Sequence, residues 1–170
     1  MNEVKEAVSR VTGSDAYKEW LKDNPDSCLA CLILTLQSEK GWEVSFYCKL
    51  KNRMTTFSTD PVAIVDKDAE VFKKNETKVE ELEIDKLTVG FEDSLKITQK
   101  AVNELGNGGK VSREIAILQK IKKNFWNIIC ITDNMLLINV KIDAVTGEIL
   151  KKDARPAMDL VDKEKTTDKK

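Results

Sequence analysis

Histidine is absent from all 170 residues of the chain. With it go the side chain that titrates near neutrality, the commonest general base and the commonest zinc ligand, so serine- or cysteine-nucleophile triads of the usual kind cannot be assembled. An excess of either charge is also missing. The 28 basic and 29 acidic residues leave a formal net charge of −1, which supplies no field to gather a polyanion, and nucleic acid is not an expected partner. No glycine-rich phosphate loop is present, because Gly106-Asn107-Gly108-Gly109 follows a helical pattern and does not join a strand to a helix. Long hydrophobic runs are lacking too. The longest, Cys28 to Leu36, is too short to cross a bilayer, and Met1 to Glu6 is charged where a secretory leader would be apolar. These absences predict a cytoplasmic protein with no membrane partner, whose four cysteines (Cys28, Cys31, Cys48, Cys130) form no structural disulfide.

What is present fits a globular chain: 41% hydrophobic and 34% charged residues, in a length that buries roughly 70% of its unfolded surface. The chain also repeats itself. Leu36-Gln37 followed by Gly41-Trp42-Glu43-Val44-Ser45-Phe46 returns as Leu118-Gln119 followed by Phe125-Trp126-Asn127-Ile128-Ile129-Cys130. Asn52 to Phe57 is echoed by Asp133 to Ile138, and Val65-Asp66 leading to Lys73-Lys74 by Ile142-Asp143 leading to Lys151-Lys152.

Hydrophobic spacing divides each copy into helix, then strands. Val4, Val8 and Val11 form a helical stripe that stops at Gly13, and Ser14 is placed to cap a second short helix carrying Trp20. Cys28 to Gln37, Trp42 to Cys48, Met54 to Ser58 and Val62 to Phe72 read as strands. After a charged connector, Lys73 to Lys86, a helix over Ser94 to Leu105 presents Leu95, Thr98, Val102 and Leu105, with Gly106 as its stop. Glu114 to Lys120, Trp126 to Thr132, Leu136 to Asp143 and Glu148 to Lys151 complete a second set of strands. The predicted class is α+β: two similar units, residues 1–80 and 81–152, each a helix on an antiparallel sheet of about four strands, followed by a disordered charged tail over 153–170. Alternation predicts one inward row, with Val44, Phe46 and Cys48 matched by Ile128, Cys130 and Thr132.

Ser94 to Val102, Trp126-Asn127-Ile128 and Val140 to Leu150, the last holding Asp143-Ala144-Val145-Thr146-Gly147, together resemble a PepSY-type domain. The resemblance covers Phe91 to Lys152 and reaches the first copy through internal symmetry, since Val65 to Glu70 lacks the Thr-Gly pair. It implies a helix packed on a small antiparallel sheet, a PepSY/cystatin-like fold, and an association with peptidase propeptides and inhibition.

Few residues nominate themselves for chemistry. Cys28-Leu29-Ala30-Cys31 has the C-x-x-C spacing of a metal or redox pair, yet it runs into an apolar strand and not from a helix N-terminus, so buried thiols are the favoured reading and a metal or redox site the alternative. Trp42 and Trp126 are expected to cover the helix–sheet seam and not to stack on a ligand. Glu80, Glu81 and Glu83 read as a solvated connector, and Lys120, Lys122 and Lys123 as a solubilising turn. No catalytic, cofactor-binding or metal-ligating residue is predicted. The expectation is a non-enzymatic binding or regulatory protein that takes a peptide or protein through a sheet edge or the groove between units, with a homodimer through the same edges as a further expectation.

Overall fold

Among the described residues every strand joins one antiparallel sheet. The structure, a computed structural model, describes residues 2–39, 41–71 and 78–158. Helices α1 (Asn2–Gly13) and α2 (Asp15–Lys22) precede strands β1 (Ser27–Thr35), β2 (Trp42–Cys48), β3 (Arg53–Thr59) and β4 (Val62–Glu70). A 3-10 turn (Ile84–Lys86) leads to helix α3 (Phe91–Leu105), then to β5 (Val111–Ile121), β6 (Lys123–Thr132), β7 (Leu136–Asp143) and β8 (Ile149–Pro156). The spatial order is β4-β3-β2-β1-β5-β6-β7-β8.

The expected pair of helix-on-sheet units does not form. Strands β1 and β5 hydrogen-bond to each other from Cys31 opposite Gln119 to Thr35 opposite Ile115, so two presumptive four-stranded sheets are one eight-stranded sheet. The physical reason is visible in these two strands. Cys28 to Leu36 and Ile115 to Leu118 are apolar on both faces, which suits a central strand with neighbours on each side and would leave a sticky edge if unpaired.

One face of the sheet carries all three helices. Val4, Ala7 and Val11 of α1 lie on a single stripe and are buried against β2 and β3. Ser14 caps α2 by accepting the Tyr17 amide at 3.2 Å, and Trp20 is buried with Tyr17, Phe46 and Phe57 in an aromatic group. Helix α3 packs on β6, β7 and β8. Its buried residues are Phe91, Ser94, Thr98, Ala101 and Val102, so the stripe is rotated from the expected one and Leu95 and Leu105 sit at its margin. Small residues let the helix approach the sheet. The hydroxyls that this buries bond within the helix, Ser94 to the Phe91 carbonyl at 2.6 Å and Thr98 to the Ser94 carbonyl at 2.8 Å.

The predicted inward row is fully buried, Val44, Phe46 and Cys48 in β2 and Ile128, Cys130 and Thr132 in β6. Register corrects the echo at the preceding strand. Leu34 pairs with Trp42 as Leu118 pairs with Trp126, so Leu34, two residues before the Leu36 first aligned, is the counterpart of Leu118. Between the helices, above the β1–β5 seam, Trp42 and Trp126 meet Phe91 with ring centroids 5.4 and 5.9 Å away, and the Trp126 indole donates to the Val89 carbonyl at 3.0 Å. These rings, with Leu82 and Leu87, join both halves into one hydrophobic cluster.

The connector is no solvated strap either. Leu82 is 3% exposed and its amide donates to the Leu29 carbonyl at 2.8 Å, at the end of the sheet where β1 and β5 diverge. Strand β8 runs on to Pro156 and so takes up the first residues assigned to the tail, while residues 159–170 and Lys73-Lys74 lie outside the described residues.

The main core is shared by both halves, with only a small second cluster of Cys28, Ala30 and Tyr47 on the other face, and so predicts a single transition. Leu118→Ala, which empties a fully buried site at the seam, is expected to cost about 2–5 kcal/mol and to shift one cooperative urea transition seen alike by tryptophan fluorescence and far-ultraviolet circular dichroism; two separated transitions would contradict the shared core.

Candidate functional site

Pairing register assigns each side chain to a face. Leu32, Leu118 and Ile128 point to the helices, so the residues alternating with them point away. The face opposite the helices carries Ile33 and Thr35 from β1, Ile115 and Ile117 from β5, and Ile129 and Ile131 from β6. All are partly exposed. A solvated antiparallel face normally alternates to polar residues, whereas here its middle is a band of isoleucine.

The flanks of this band differ in charge. On the β2–β4 side, Glu43, Ser45, Thr56, Ser58 and Asp66 share the face, tied by the register pairs Glu43–Ser58, Ser45–Thr56 and Thr56–Asp66, and the Ser45 and Thr56 hydroxyls are 2.8 Å apart. On the β7–β8 side stand Asn139, Lys141, Lys151, Asp153 and Arg155, where Lys151 reaches Asp153 at 3.4 Å and Lys141 lies 5.5 Å over the Phe125 ring. Asn127 of β6 is 9% exposed, pairs across the sheet with Lys141, and buries an amide oxygen that has no hydrogen-bond partner among the described residues. The Asn139 amide oxygen and the Arg155 Nε are buried and unpartnered in the same sense. Three unmet polar atoms thus gather on one flank of the open face. Such atoms cost free energy in the isolated fold and gain it back when a partner supplies hydrogen bonds.

Sheet edges, expected to take a peptide, are guarded. Strand β4 is entered at Pro61, carries Asp66, Lys67 and Asp68, and is broken twice by register shifts. Asp68 adopts φ +53° and its amide donates to the Thr55 hydroxyl at 3.2 Å. Strand β8 carries Lys151, Lys152, Arg155 and Pro156. Charge, proline and bulges are the devices by which natural sheets discourage strand addition.

Of the residues singled out in the sequence, Cys28 and Cys31 fall on this open face, since Cys31 pairs with Ser45 and Gln119 and alternates with the inward Leu32. A register shift between Leu29 and Cys31 turns Cys28 and Cys31 to the same face, opposite Tyr47 and Ser45. All four cysteines are free. Burial pushes the Cys28 and Cys31 thiols up, and burial with the neighbouring Glu114 carboxyl pushes Cys130 up to about 12, so these three are held as thiols and away from the nucleophilic thiolate. Among the described residues no three Cys, Asp or Glu side chains gather in a way that could hold a metal ion. Trp126 is 0% exposed, which leaves it nothing to stack on from solvent.

The charged connector and basic turn prove to be each other's partners. Lys120 binds Glu83 at 2.7 Å and Glu80 at 3.9 Å, Lys86 adds a second cation to Glu83 at 2.6 Å, and the Lys122 amide donates to Glu80 at 2.7 Å. The hydrogen bond from Lys120, followed by that from Lys86, holds the Glu83 carboxyl down at about 2. Lys123 grips Asp143 at 2.7 Å, while the other Asp143 oxygen accepts the Val145 and Thr146 amides at 2.9 and 3.1 Å, and Gly147 completes the turn at φ +77°. The Asp-to-Thr-Gly motif is a structural clamp joining β6 to the β7–β8 turn.

No family model matches the chain, and no curated protein sequence matches it either, so the PepSY-type resemblance has no support beyond the residues that suggested it. Among solved structures, the crystal structure of a "putative lipoprotein" from Clostridium difficile 630 is similar, with a TM-score of 0.55 and 17% identity over 83% of this chain and 91% of that one. Identity at this level supports a shared fold alone. Among the described residues no helix is long and apolar enough to cross a membrane.

Two outcomes follow from the site and its supports. Asn127→Leu replaces a side chain whose buried amide oxygen is unpartnered by an apolar one of similar size and is expected to raise stability by about 1 kcal/mol in denaturant titration; a loss of that size would mean that the oxygen is satisfied. Glu83 and Asp143 both have folded-state pKa values below their unfolded ones, Asp143 chiefly through Lys123, so their stabilisation is present above pH 4.5 and drains away as pH falls through the folded values. Carboxyl carbon titration by NMR is expected to place the Glu83 midpoint near 2 in the native protein and near 4.5 in Lys120→Met with Lys86→Met; a native midpoint near 4.5 would refute the clamp.

Proposed function

We propose that this chain is a non-enzymatic binding protein that recognises a protein partner through the open face of its sheet. The observation that carries the proposal is the band of partly exposed isoleucines, Ile33, Ile115, Ile117, Ile129 and Ile131, bordered by the unpartnered polar atoms of Asn127, Asn139 and Arg155. An apolar centre with a polar rim is the anatomy of a protein interface. The guarded edges favour the face over strand addition, and the rings of Trp42, Phe91 and Trp126 fill the space in which a groove between halves was expected.

A non-enzymatic role is supported by the missing imidazole and by thiols held in their protonated form. The second reading, a thiol site for metal or redox chemistry on Cys28 and Cys31, has one observation in its favour, the bulge that turns both side chains to the same face. Burial of both thiols weighs against it, because the thiolate is the form that ligates metal or attacks a disulfide. A cytoplasmic setting accords with four free thiols, and the similar structure's description as a lipoprotein is a statement about that protein.

A photo-crosslinking residue at Ile117, on the open face, and another at Lys100, on the exposed side of α3, test the proposal in lysate of the source cell. Discrete protein adducts from position 117 and none from 100 are expected. No adduct at 117, or the same adducts from both positions, would contradict it.

A further inference from the structure

The two flanks of the open face differ in sign, and this bears on what the face is shaped to meet. The β1–β5 seam runs up its middle, with β2, β3 and β4 on one side and β6, β7 and β8 on the other. Its first flank presents the carboxylates of Glu43 and Asp66 with the hydroxyls of Ser45, Thr56 and Ser58. Its second presents Lys141, Lys151 and Arg155 beside the carboxylates of Asp153 and of Asp143, the latter neutralised by Lys123, with Asn127 and Asn139 among them. The isoleucine band lies between them.

We infer that the occupant of this face is a second copy of the chain, stacked face to face about a two-fold axis that runs along the β1–β5 seam. This inference rests on the reading of the open face as a binding surface and names its partner.

Symmetry makes the argument specific. Rotation by a half-turn about an in-plane axis parallel to the strands exchanges left and right, so the acidic flank of one protomer lies over the basic flank of its partner, twice per dimer. Rotation about an in-plane axis across the strands would instead set like charge on like. Only the first choice is compatible with the charge layout. It keeps strands of the two sheets nearly aligned, as in the common sandwich packing, and stacks β1 of one copy on β5 of the other, so that Ile33 meets the Ile115–Ile117 row. Strand by strand, β2 of one copy then covers β6 of the other, β3 covers β7, and β4 covers β8. The half-turn keeps each residue's height along the strands, so Glu43, level with Ile33, Ile117, Asn127, Lys141 and Lys151 across the sheet, comes down beside Lys141 of the other copy, and Asp66, two residues further along with Thr56 and Ser45, lies near Lys151 of the other copy. A self-complementary surface of this kind is what an isologous dimer requires, whereas a face built for an unlike protein has no reason to match its own half-turn image.

The test exploits the same symmetry. Variant A carries Glu43→Lys with Asp66→Lys, which makes both flanks basic; variant B carries Lys141→Glu with Lys151→Glu, which makes both acidic. All four side chains lie at the surface or partly exposed, and circular dichroism and the urea midpoint verify that both variants fold. Light scattering and sedimentation equilibrium over about 1–300 μM in low salt are expected to find the full-length wild-type chain dimerising, variants A and B each at least tenfold weaker, and an equimolar mixture of A and B restored as an A–B heterodimer. Raised salt should weaken the wild-type dimer and the heterodimer together.

A wild-type chain that stays monomeric over the whole range would overturn the inference, as would variants that dimerise like wild type or a mixture in which A and B fail to associate. Photo-crosslinking from Ile117 separates the two levels. A monomer that yields an adduct with an unlike protein at position 117 overturns self-pairing while leaving the face as a binding surface, and a monomer that yields no adduct overturns both.

Discussion

Backbone pairing between β1 and β5 is the interaction on which the rest of the structure depends. Five residue pairs, from Cys31 with Gln119 to Thr35 with Ile115, join the two four-stranded meanders. Both strands are apolar on each face. Left as edges they would present unpaired amides and carbonyls beside isoleucine and leucine, a template for aggregation. Paired, they place Leu32 and Leu118 at 0% exposure beneath the helices and set Ile33, Ile115 and Ile117 together on the other side. Core and candidate site are therefore two faces of one ladder.

Around that ladder the charged residues divide by task. Glu83 with Lys120 and Lys86, and Asp143 with Lys123, fasten the end of the sheet at which the connector threads between β1 and β5. Leu82 plugs the gap and the ion pairs close over it. Exposed pairs of this sort contribute modestly to stability, but here the carboxylates of Asp143 and Glu80 also accept backbone amides, which gives the turn and the connector a defined path. Charges on the open face have fewer partners. Glu43 and Asp66 lie on one flank and Lys141 and Arg155 on the other, and none of the four is drawn into the clamps at the sheet's end.

Much of the local structure was legible because hydrophobic period and turn chemistry agreed. Trp42 to Cys48 and Leu136 to Asp143 appear as strands with the expected bounds, Ser14 caps where a serine before an amphipathic run should, and Gly106 ends α3. What failed was the long-range step. A repeat in sequence reports that two segments fold alike and carries no information on whether their first strands pair. The signal that existed was the two-sided apolarity of Cys28 to Leu36, noted as a short apolar run but not weighed as the mark of a central strand. The α3 stripe was misjudged because Ser94 and Ala101 count as polar or small in a hydrophobic period, although close helix–sheet packing favours them. The open face lies outside the expectation for a related reason: alternation names one inward row and leaves the opposite row unassigned, although Ile115, Ile117, Ile129 and Ile131 are none of the residues a wet face needs. Glu80, Glu83 and Lys120, separated by about 40 positions, could not be seen as partners from spacing alone.

The central claim is that the β1–β5 ladder makes one cooperative sheet of two meanders. Native-state hydrogen exchange in low denaturant tests it most directly. The account predicts that amides between residues 31 and 35 and between 115 and 119 exchange only through global unfolding, with the same dependence on denaturant as amides in β2 and β6. Exchange of the seam amides through a smaller opening, with β2 and β6 still protected, would contradict it.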